Sequence, residues 1–369
     1  MTLFVWIKYL TITLMILVAL IAAFLQWHPV FGGQPDAASL AKIHASKQFD
    51  GTQFVNTEPT PVNTGSEDSP GIFSWLKSVI SPPPGKHPGA PLPSQPLQSD
   101  LLQNGRFVWL GHSTILFKTA GKVFITDPVF YRASPIPLGG SPFPMRHTPR
   151  IADLPSIDAV LISHDHYDHL DYRAIQELND KVGHFFVPLG VKAHLQRWGV
   201  RDDKITELDW HESAAIGAVR LTLAPARHFS GRGLNNRGST LWGSWVVKSP
   251  EFSLFFNGDS GYGKHLAEIG AHYGPFDLAF MENGAYNPNW ALIHMMPEQS
   301  VQAVLDVQAK AVMPIHWAKF DLSYHPWKEP IERFMVAAEG KPMQVTTPQI
   351  GQIFELTHLP KERWWVSIP

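Results

Sequence analysis

Cysteine is missing from the whole sequence of 369 residues. This absence excludes disulfide bonds, thiolate metal sites and cysteine nucleophiles, so any bound metal must be held by histidine, aspartate or glutamate. An excess of one charge is also missing, and the formal net charge of -2 gives no indication of a nucleic-acid partner. The chain does contain 18 histidines and an apolar fraction of 44%, enough for a globular protein with a substantial core.

One long apolar run without charge stands near the N-terminus, at residues 9–27, with Tyr9 and Trp27 at its two ends. About 20 such residues, at about 1.5 Å each, match a hydrocarbon core of about 30 Å. We therefore predict a single-pass membrane anchor over residues 1–27. The alternatives are a cleaved signal peptide, for which no clear small-x-small site is found, and a buried core helix. Lys8 before the run favours placing the rest of the chain on the non-cytoplasmic side, periplasmic or extracellular.

Residues 28–100 are predicted to form a Pro-rich tether, because proline at high density removes backbone donors and favours extended conformations. Within the tether, residues 72–80 are expected to form a short amphipathic segment that packs on the following domain or touches the bilayer. From about residue 101, apolar runs typical of strands alternate with helical patterns and hairpins. This alternation predicts one layered α/β domain over residues 101–369.

Three histidines and three aspartates lie in one short stretch, ISHDHYDHLD, at residues 162–171. His164 and His166 follow a predicted buried strand, and on an extended segment their imidazoles project to the same side, so they can share one metal ion. Asp168 and His169 lie where the chain turns into a predicted helix and can begin a second site. The alternative is a solvated polar loop, which the strand–helix context argues against.

Three further candidate ligands each come after the end of a predicted strand: His228, Asp259 and His316. Open α/β sheets bind ligands along this edge. Alone, each has a structural alternative, such as a turn role for Asp259. We assign the candidates to a pair of metal ions, one held by His164, His166 and His228, the other by Asp168, His169 and His316, with Asp259 bridging. Imidazole nitrogen suits zinc and a carboxylate can bridge two cations, so two divalent ions, Zn²⁺ first among them, are the expected cofactors.

Asp127 also follows a predicted strand, Lys122–Thr126. It is expected either to orient a ligand imidazole from behind or to cap a turn. Arg146, Arg150, Arg232 and Arg237 lie in two long loops and are expected either to meet phosphate groups or to be solvated.

The ordered motif series resembles a known family. Its segments are WLGHST (109–114), TDPVF (126–130), NGDSGY (257–262), GPFDLA (274–279) and IHW (315–317), besides the histidine motif. The series is similar to the N-acylphosphatidylethanolamine-hydrolysing phospholipases D of the metallo-β-lactamase superfamily, over about residues 45–369. The resemblance implies a four-layer αββα sandwich, here with an N-terminal transmembrane helix. It also implies hydrolysis of a membrane phospholipid to phosphatidic acid and an N-acylethanolamine.

The resemblance adds catalytic candidates. Asp168, within the metal motif, is the first of them. His294 resembles a family histidine near the substrate phosphate, although a role at the start of the following helix is the alternative. The family is apolar where Glu282 stands in this chain.

Two other functions compete with this interpretation. A hydrolase of the same fold acting on a soluble lactone or another phosphodiester would have an identical ligand set. A membrane-tethered binding protein without turnover is favoured only when a metal ligand is missing, and all seven expected ligands are present. A ribonuclease of this fold is disfavoured by the net charge and the predicted membrane anchor.

Overall fold

The computed structural model describes residues 3–65, 81–82, 84–137 and 139–369. The predicted amphipathic segment 72–80 lies outside the described residues. The helices of the described parts are α1 (Leu3–Trp27), α2 (Ala37–Ala45), α3 (Tyr172–Leu178), α4 (Lys192–Arg197), α5 (His265–Tyr273), α6 (Pro297–Asp306) and α7 (Glu329–Ala337).

Fourteen strands accompany these helices in the part of the chain that the structure describes. They are β1 (Arg106–Trp109), β2 (Ile115–Thr119), β3 (Lys122–Thr126), β4 (Ile157–Leu161), β5 (Val182–Pro188), β6 (Ile205–Leu208), β7 (Ser213–Ile216), β8 (Val219–Ala224), β9 (Ser244–Lys248), β10 (Ser253–Phe256), β11 (Leu278–Glu282), β12 (Ala311–Ile315), β13 (Gln344–Val345) and β14 (Ile353–Glu355). They form two seven-stranded sheets, ordered β14-β1-β2-β3-β4-β5-β6 and β13-β12-β11-β10-β9-β8-β7.

Strand alternation divides the core into three apolar layers. Phe107 and Leu161 of the first sheet face Phe280 of the second and build the layer between the sheets. Their neighbours along the strands, such as Val108 and Val160, point the other way and pack against helices α3 and α4. Helices α5, α6 and α7 cover the outer face of the second sheet in the same manner. The result is the predicted αββα sandwich.

Helix α1 is the exception to this packing, because it buries almost no surface. Within the described residues, it is the one helix long and apolar enough to cross a membrane. Leu14 and Leu20, for example, remain exposed. The structure contains no membrane, so the test is one of length and composition.

The segment predicted as an extended tether packs on the domain where the structure describes it. Helix α2 is capped by the Asp36 side chain, and Ile43, Phe54 and Leu92 enter the layer between the sheets. The Ser39 hydroxyl donates to the buried Glu207 carboxylate at 2.6 Å. The difference from the prediction arises because a few separated apolar residues find places in the core, which proline content does not reveal.

Candidate metal centre

The histidine motif occupies the loop between β4 and α3. Strand β4 is parallel to both neighbours, β3 and β5, so the motif lies at the carboxyl edge of the sheet. The Asp171 side chain accepts hydrogen bonds from the first amides of α3 and fixes where the helix begins. Strands β8, β10 and β12 end at the same place in the second sheet, and His228, Asp259 and His316 follow them.

The first ligand group contains His164, His166, His228 and Asp259. The His166 Nδ1 atom lies 2.9 Å from His164 Nε2 and 3.2 Å from His228 Nε2. The Asp259 Oδ2 atom lies 3.8 Å from His164 Nε2 and 3.7 Å from His228 Nε2. Four potential metal-ligand atoms therefore face one point.

The second ligand group contains His112, Asp168, His169 and His316. The His316 and His169 Nε2 atoms are 3.1 Å apart. The Asp259 Oδ1 atom lies 3.1 Å from His169 Nε2 and 3.0 Å from His316 Nε2. Asp259 thus directs one carboxylate oxygen to each group, the arrangement that a bridging ligand requires.

Three of the ligand imidazoles fit metal ligation because hydrogen bonds fix the nitrogen that faces away from the site. The Nδ1 atom of His169 donates to Asp127 at 2.7 Å, that of His228 donates to the Ile293 carbonyl at 2.9 Å, and that of His164 contacts the Ser163 hydroxyl at 3.0 Å. The Nε2 atoms of these three rings carry lone pairs and face the Asp259 carboxylate, which is also an acceptor. The buried Asp259 Oδ1 atom has no hydrogen-bond donor among the described residues. Divalent cations would satisfy these facing acceptors.

Asp127 lies directly behind this centre. Besides His169, its carboxylate accepts hydrogen bonds from the Ser163 amide and hydroxyl at 2.7 and 2.6 Å. Burial raises the pKa of Asp127, although the hydrogen bonds from His169 and Ser163 oppose that rise. The contact matches the imidazole-orienting role that was one of the two alternatives for this residue.

His112 is a site residue that the sequence reasoning missed. Its Nε2 atom donates to Asp168 Oδ2 at 3.0 Å, and its backbone carbonyl accepts from the His316 amide. Burial, together with the neighbouring His316, lowers the pKa of His112 to about 3. The sequence feature that could have identified His112 is the motif WLGHST, in which this residue follows strand β1.

His294 lies beside the two ligand groups. One of its ring nitrogens is within 4.8 Å of ligand atoms of Asp259 and His316. Its Nδ1 atom donates to the Glu282 carboxylate, whose second oxygen accepts from the Ser260 amide at 3.1 Å. Glu282 is fully buried, and burial raises its pKa. Glu282, the residue that departs from the family pattern, therefore forms a hydrogen bond with the catalytic candidate His294.

A cavity of about 390 Å³ opens on the centre. Its remaining wall is largely apolar and includes Val62, Phe229, Trp290, Ile293, Leu322 and Tyr324. Val62 belongs to the segment before the catalytic domain. This segment is held by the Thr64 amide, which donates to the Asn289 carbonyl. The site therefore combines a polar floor with an apolar wall.

The four loop arginines have different surroundings. Arg232 is buried and donates to three backbone carbonyls, those of Val30, Asp165 and Leu170. Arg150 is exposed and paired with Asp153. Arg146 is exposed, and the Arg237 guanidinium stacks over the Phe229 ring at 4.6 Å. Arg237 thus contacts a residue of the cavity wall.

Comparison with known proteins agrees with this architecture. The profile of the β-lactamase superfamily domain matches residues 123–317. An uncharacterised protein of Mycobacterium tuberculosis is 41% identical over 345 residues, which cover 89% of this chain and 90% of that protein. The N-acyl-phosphatidylethanolamine-hydrolyzing phospholipase D 1 of Caenorhabditis elegans is 34% identical over 276 residues, covering 69% of this chain and 76% of that enzyme.

Among solved structures, CmlA, a diiron β-hydroxylase from Streptomyces venezuelae, superimposes with a TM-score of 0.54 at 18% identity. The match covers 69% of this chain and 54% of CmlA, so the chain spans about half the length of that structure. This likeness concerns the fold alone. Together, the profile match, the relatives and the two-sheet architecture show that the chain is a hydrolase of the metallo-β-lactamase superfamily.

Proposed function

We propose that the protein is a metal-dependent phosphodiesterase of the phospholipase D type. It would hydrolyse N-acylphosphatidylethanolamine to phosphatidic acid and an N-acylethanolamine. The observation that carries the proposal is an apolar cavity opening directly on two His/Asp ligand groups that share Asp259. The similarity to a C. elegans enzyme named for this reaction supports the same substrate class.

The donor set fits two divalent cations, and zinc is the proposed metal because histidine nitrogens dominate it. The proposed ligands are the residues of the two groups other than His112, whose Nε2 atom donates to Asp168. They are His164, His166 and His228 for one ion and Asp168, His169 and His316 for the other, with Asp259 shared. When bound, such a pair makes water a nucleophile near neutral pH and neutralises the charge that develops on phosphoryl oxygens.

Water attacks the phosphorus atom in this reaction. The bond that breaks joins phosphorus to the oxygen that becomes the hydroxyl group of the N-acylethanolamine. The departing oxygen needs a proton, and His294 is the residue placed to supply one. Glu282 accepts the Nδ1 hydrogen of His294, which leaves Nε2 as the nitrogen that takes up a proton and passes it to the departing oxygen. The proton lost by the attacking water replaces the one transferred, so the reaction balances. Asp168 is oriented by His112 and is the second catalytic candidate, as a ligand that fixes the nucleophile's position.

The apolar wall has a separate task. Phe229, Trp290 and Ile293 offer the hydrocarbon surface that an acyl chain requires, and they exclude bulk water from the polar floor. Exclusion of water strengthens the electrostatic interactions between the site and a phosphate. A small polar lactone or sugar phosphate would leave this wall without a partner.

We further propose that α1 anchors the chain in a membrane, with the catalytic domain on the non-cytoplasmic side. The support is the length and exposure of α1 and the position of Lys8 before its apolar run. Protease added to intact cells or spheroplasts is expected to digest the domain. Protection until lysis would reverse the proposed orientation.

The substrate proposal is tested with the purified full chain in detergent. We expect about two equivalents of zinc or a similar ion by elemental analysis. Mass spectrometry of the reaction with N-acylphosphatidylethanolamine is expected to detect both products, and His164→Ala is expected to form neither. Rapid hydrolysis of a soluble lactone, with phospholipids untouched, would replace the proposed substrate and leave the metal centre in place.

A further inference from the structure

A second cavity, of about 480 Å³, lies beside the end of α1. We call it the anchor cavity, and its lining includes His28, Val30, Tyr131, Arg132, Tyr167 and Arg173. None of the seven proposed metal ligands lines it, so it is distinct from the catalytic cavity. Its volume lies within the range of roughly 300–1,000 Å³ that is typical of ligand pockets.

The end of α1 is fixed directly to the domain next to this cavity. The Arg197 guanidinium donates to the Trp27 carbonyl at 2.7 Å, and the Trp198 indole donates to the Pro29 carbonyl at 2.6 Å. The Val30 carbonyl, one residue further, accepts from the buried Arg232 at 2.9 Å. Contacts to the domain thus begin at Trp27, the last residue of the apolar helix. If α1 spans a bilayer, the surface around the anchor cavity is held at the bilayer boundary.

The surface there has the composition of a membrane contact. Ile136 lines the cavity and is 39% exposed, and Leu234, on the loop of Arg232, is 80% exposed. The loop of Leu234 joins the cavity wall through Arg232, whose carbonyl accepts from the Tyr167 hydroxyl. Exposed apolar side chains next to cations are typical of surfaces that bind anionic lipid.

The charges that line the anchor cavity are predominantly positive. Arg132 is exposed and its guanidinium donates to the Gly139 carbonyl. Arg173 lies over the Tyr131 ring and pairs with Glu177. Among the described lining residues the acidic one is Asp171, which is buried. Its oxygens accept hydrogen bonds from backbone amides of the neighbouring loop and of α3. Asp171 therefore presents little negative charge to a ligand.

We propose that the surface carrying Ile136 and Leu234 docks on the leaflet in which α1 ends, and that the anchor cavity receives the headgroup of an anionic phospholipid. This inference rests on the membrane anchoring proposed above. The lipid phosphate would meet Arg132, while the two apolar side chains enter the interfacial region. Tyr167 lies between His166 and Asp168 in sequence, so a lipid bound in this cavity contacts the metal-binding loop from outside the catalytic cavity.

The absence of cysteine makes a clean test possible in the full chain. Ile136→Cys and Leu234→Cys are each labelled with an environment-sensitive fluorophore and reconstituted in nanodiscs containing spin-labelled lipid. Leu14→Cys, within α1, reports whether the anchor is inserted. Val336→Cys, on α7 and 69% exposed, is the matched control away from the proposed surface.

We expect blue-shifted and quenched fluorescence at positions 14, 136 and 234, with none of these changes at 336. Quenching at 14 alone would overturn docking and leave the anchor intact. Loss of quenching at 14 would overturn the anchor and the docking surface together. Turnover of detergent-solubilised substrate is measured on the same labelled variants. This measurement distinguishes failure of the proposed catalytic function from failure of the proposed docking.

Binding of an anionic headgroup is tested by comparing two kinds of nanodisc. One kind contains phosphatidylcholine alone, and the other contains phosphatidylcholine and phosphatidylglycerol in equal amounts. Quenching at position 136 is expected to increase with the anionic lipid, and Arg132→Gln is expected to abolish that increase. Arg363→Gln, at an exposed cation near the C-terminus, is the matched control and should retain it. The same response in Arg132→Gln and wild type would overturn the headgroup assignment.

Discussion

At the scale of single residues, Asp127 contacts a proposed metal ligand without belonging to either ligand group. Its carboxylate receives the Nδ1 hydrogen of His169 and two hydrogen bonds from Ser163, and it is completely buried. These contacts set the tautomer and the ring plane of His169. The Nε2 atom of His169 faces both Asp259 and His316. A rotation of the His169 ring would therefore move this atom away from Asp259, the residue that the two ligand groups share.

We predict that Asp127→Asn weakens metal affinity by roughly 10–100-fold, as loss of such an imidazole partner generally does. Asparagine keeps the size of the side chain but removes its negative charge. Zinc competition against a chelator measures the effect. Asp158→Asn is the matched control, since Asp158 accepts from Lys122 and the Val123 amide on the same sheet. Equal affinity in both variants would show that Asp127 has no role in orienting His169.

Single residues also mark the limit of what the sequence predicted. The spacing of His164, His166, Asp168 and His169 encodes a metal motif, because a short loop fixes their relative positions. His112 is the one histidine of its motif WLGHST, and its partner Asp168 is 56 residues away, so no short spacing pairs the two. The pairing of Glu282 with His294 was missed for the same reason, since strand β11 and the following loop bring them together only in the fold.

At the scale of elements, the junction between α1 and the domain depends on close backbone approach. Gly32 has φ +87°, and a Cβ atom added there would lie 2.2 Å from His194 Nδ1. His194 cannot move away easily, because its ring bonds both the Gly33 amide and the buried Asp165 carboxylate. The junction therefore needs glycine for its conformation and for space.

We predict that Gly32→Ala destabilises the protein by more than the roughly 1–3 kcal/mol expected from an unfavourable positive-φ backbone conformation alone. Gly105→Ala is the matched control, because Gly105 has φ +80° and nothing within 4 Å of an added Cβ. Denaturant unfolding of the two variants gives the comparison. Equal losses of stability would mean that the contact with His194 adjusts without cost.

At the same scale, the sequence predicts strands correctly where their apolar residues form a continuous run. Strand β12 is buried along its whole length, and strand β4 is buried except at Asp158. Both match such runs closely. Strand β7, whose residues alternate between exposed and partly buried, was missed because it is a short edge strand. Strand β11 was missed although it is central and fully buried, since it ends in the charged Glu282. Packing of residues 28–65 was also missed, because long-range contacts outweigh their local composition.

At the scale of the whole molecule, α1 is separable from the folded body while the residues after it are not. The side chains of α1 are largely exposed, whereas Val30, Ile43 and Phe54 are buried against the domain. Burial of each such side chain contributes about 1.5–3 kcal/mol. The boundary between anchor and folded body therefore lies close to His28.

We predict that removal of residues 1–27 preserves the thermal midpoint and turnover of a soluble phosphodiester but reduces turnover of vesicle lipid. Loss of the anchor removes the high local concentration of substrate. Removal of residues 1–65 is expected to lower the midpoint and to impair both activities, because the core and the Val62 side of the cavity are lost. Equal stability of the two truncated chains would contradict the packing described for residues 28–65.

The central claim is attack by water on the phosphorus atom of N-acylphosphatidylethanolamine, and hydrolysis in ¹⁸O-labelled water tests it most directly. The full chain in detergent is incubated with the lipid, and both products are analysed by mass spectrometry, with His164→Ala as the inactive control. The account predicts that the label enters the phosphate of phosphatidic acid and is absent from the N-acylethanolamine. Label in the N-acylethanolamine, or no cleavage of the lipid by metal-loaded protein, would contradict it.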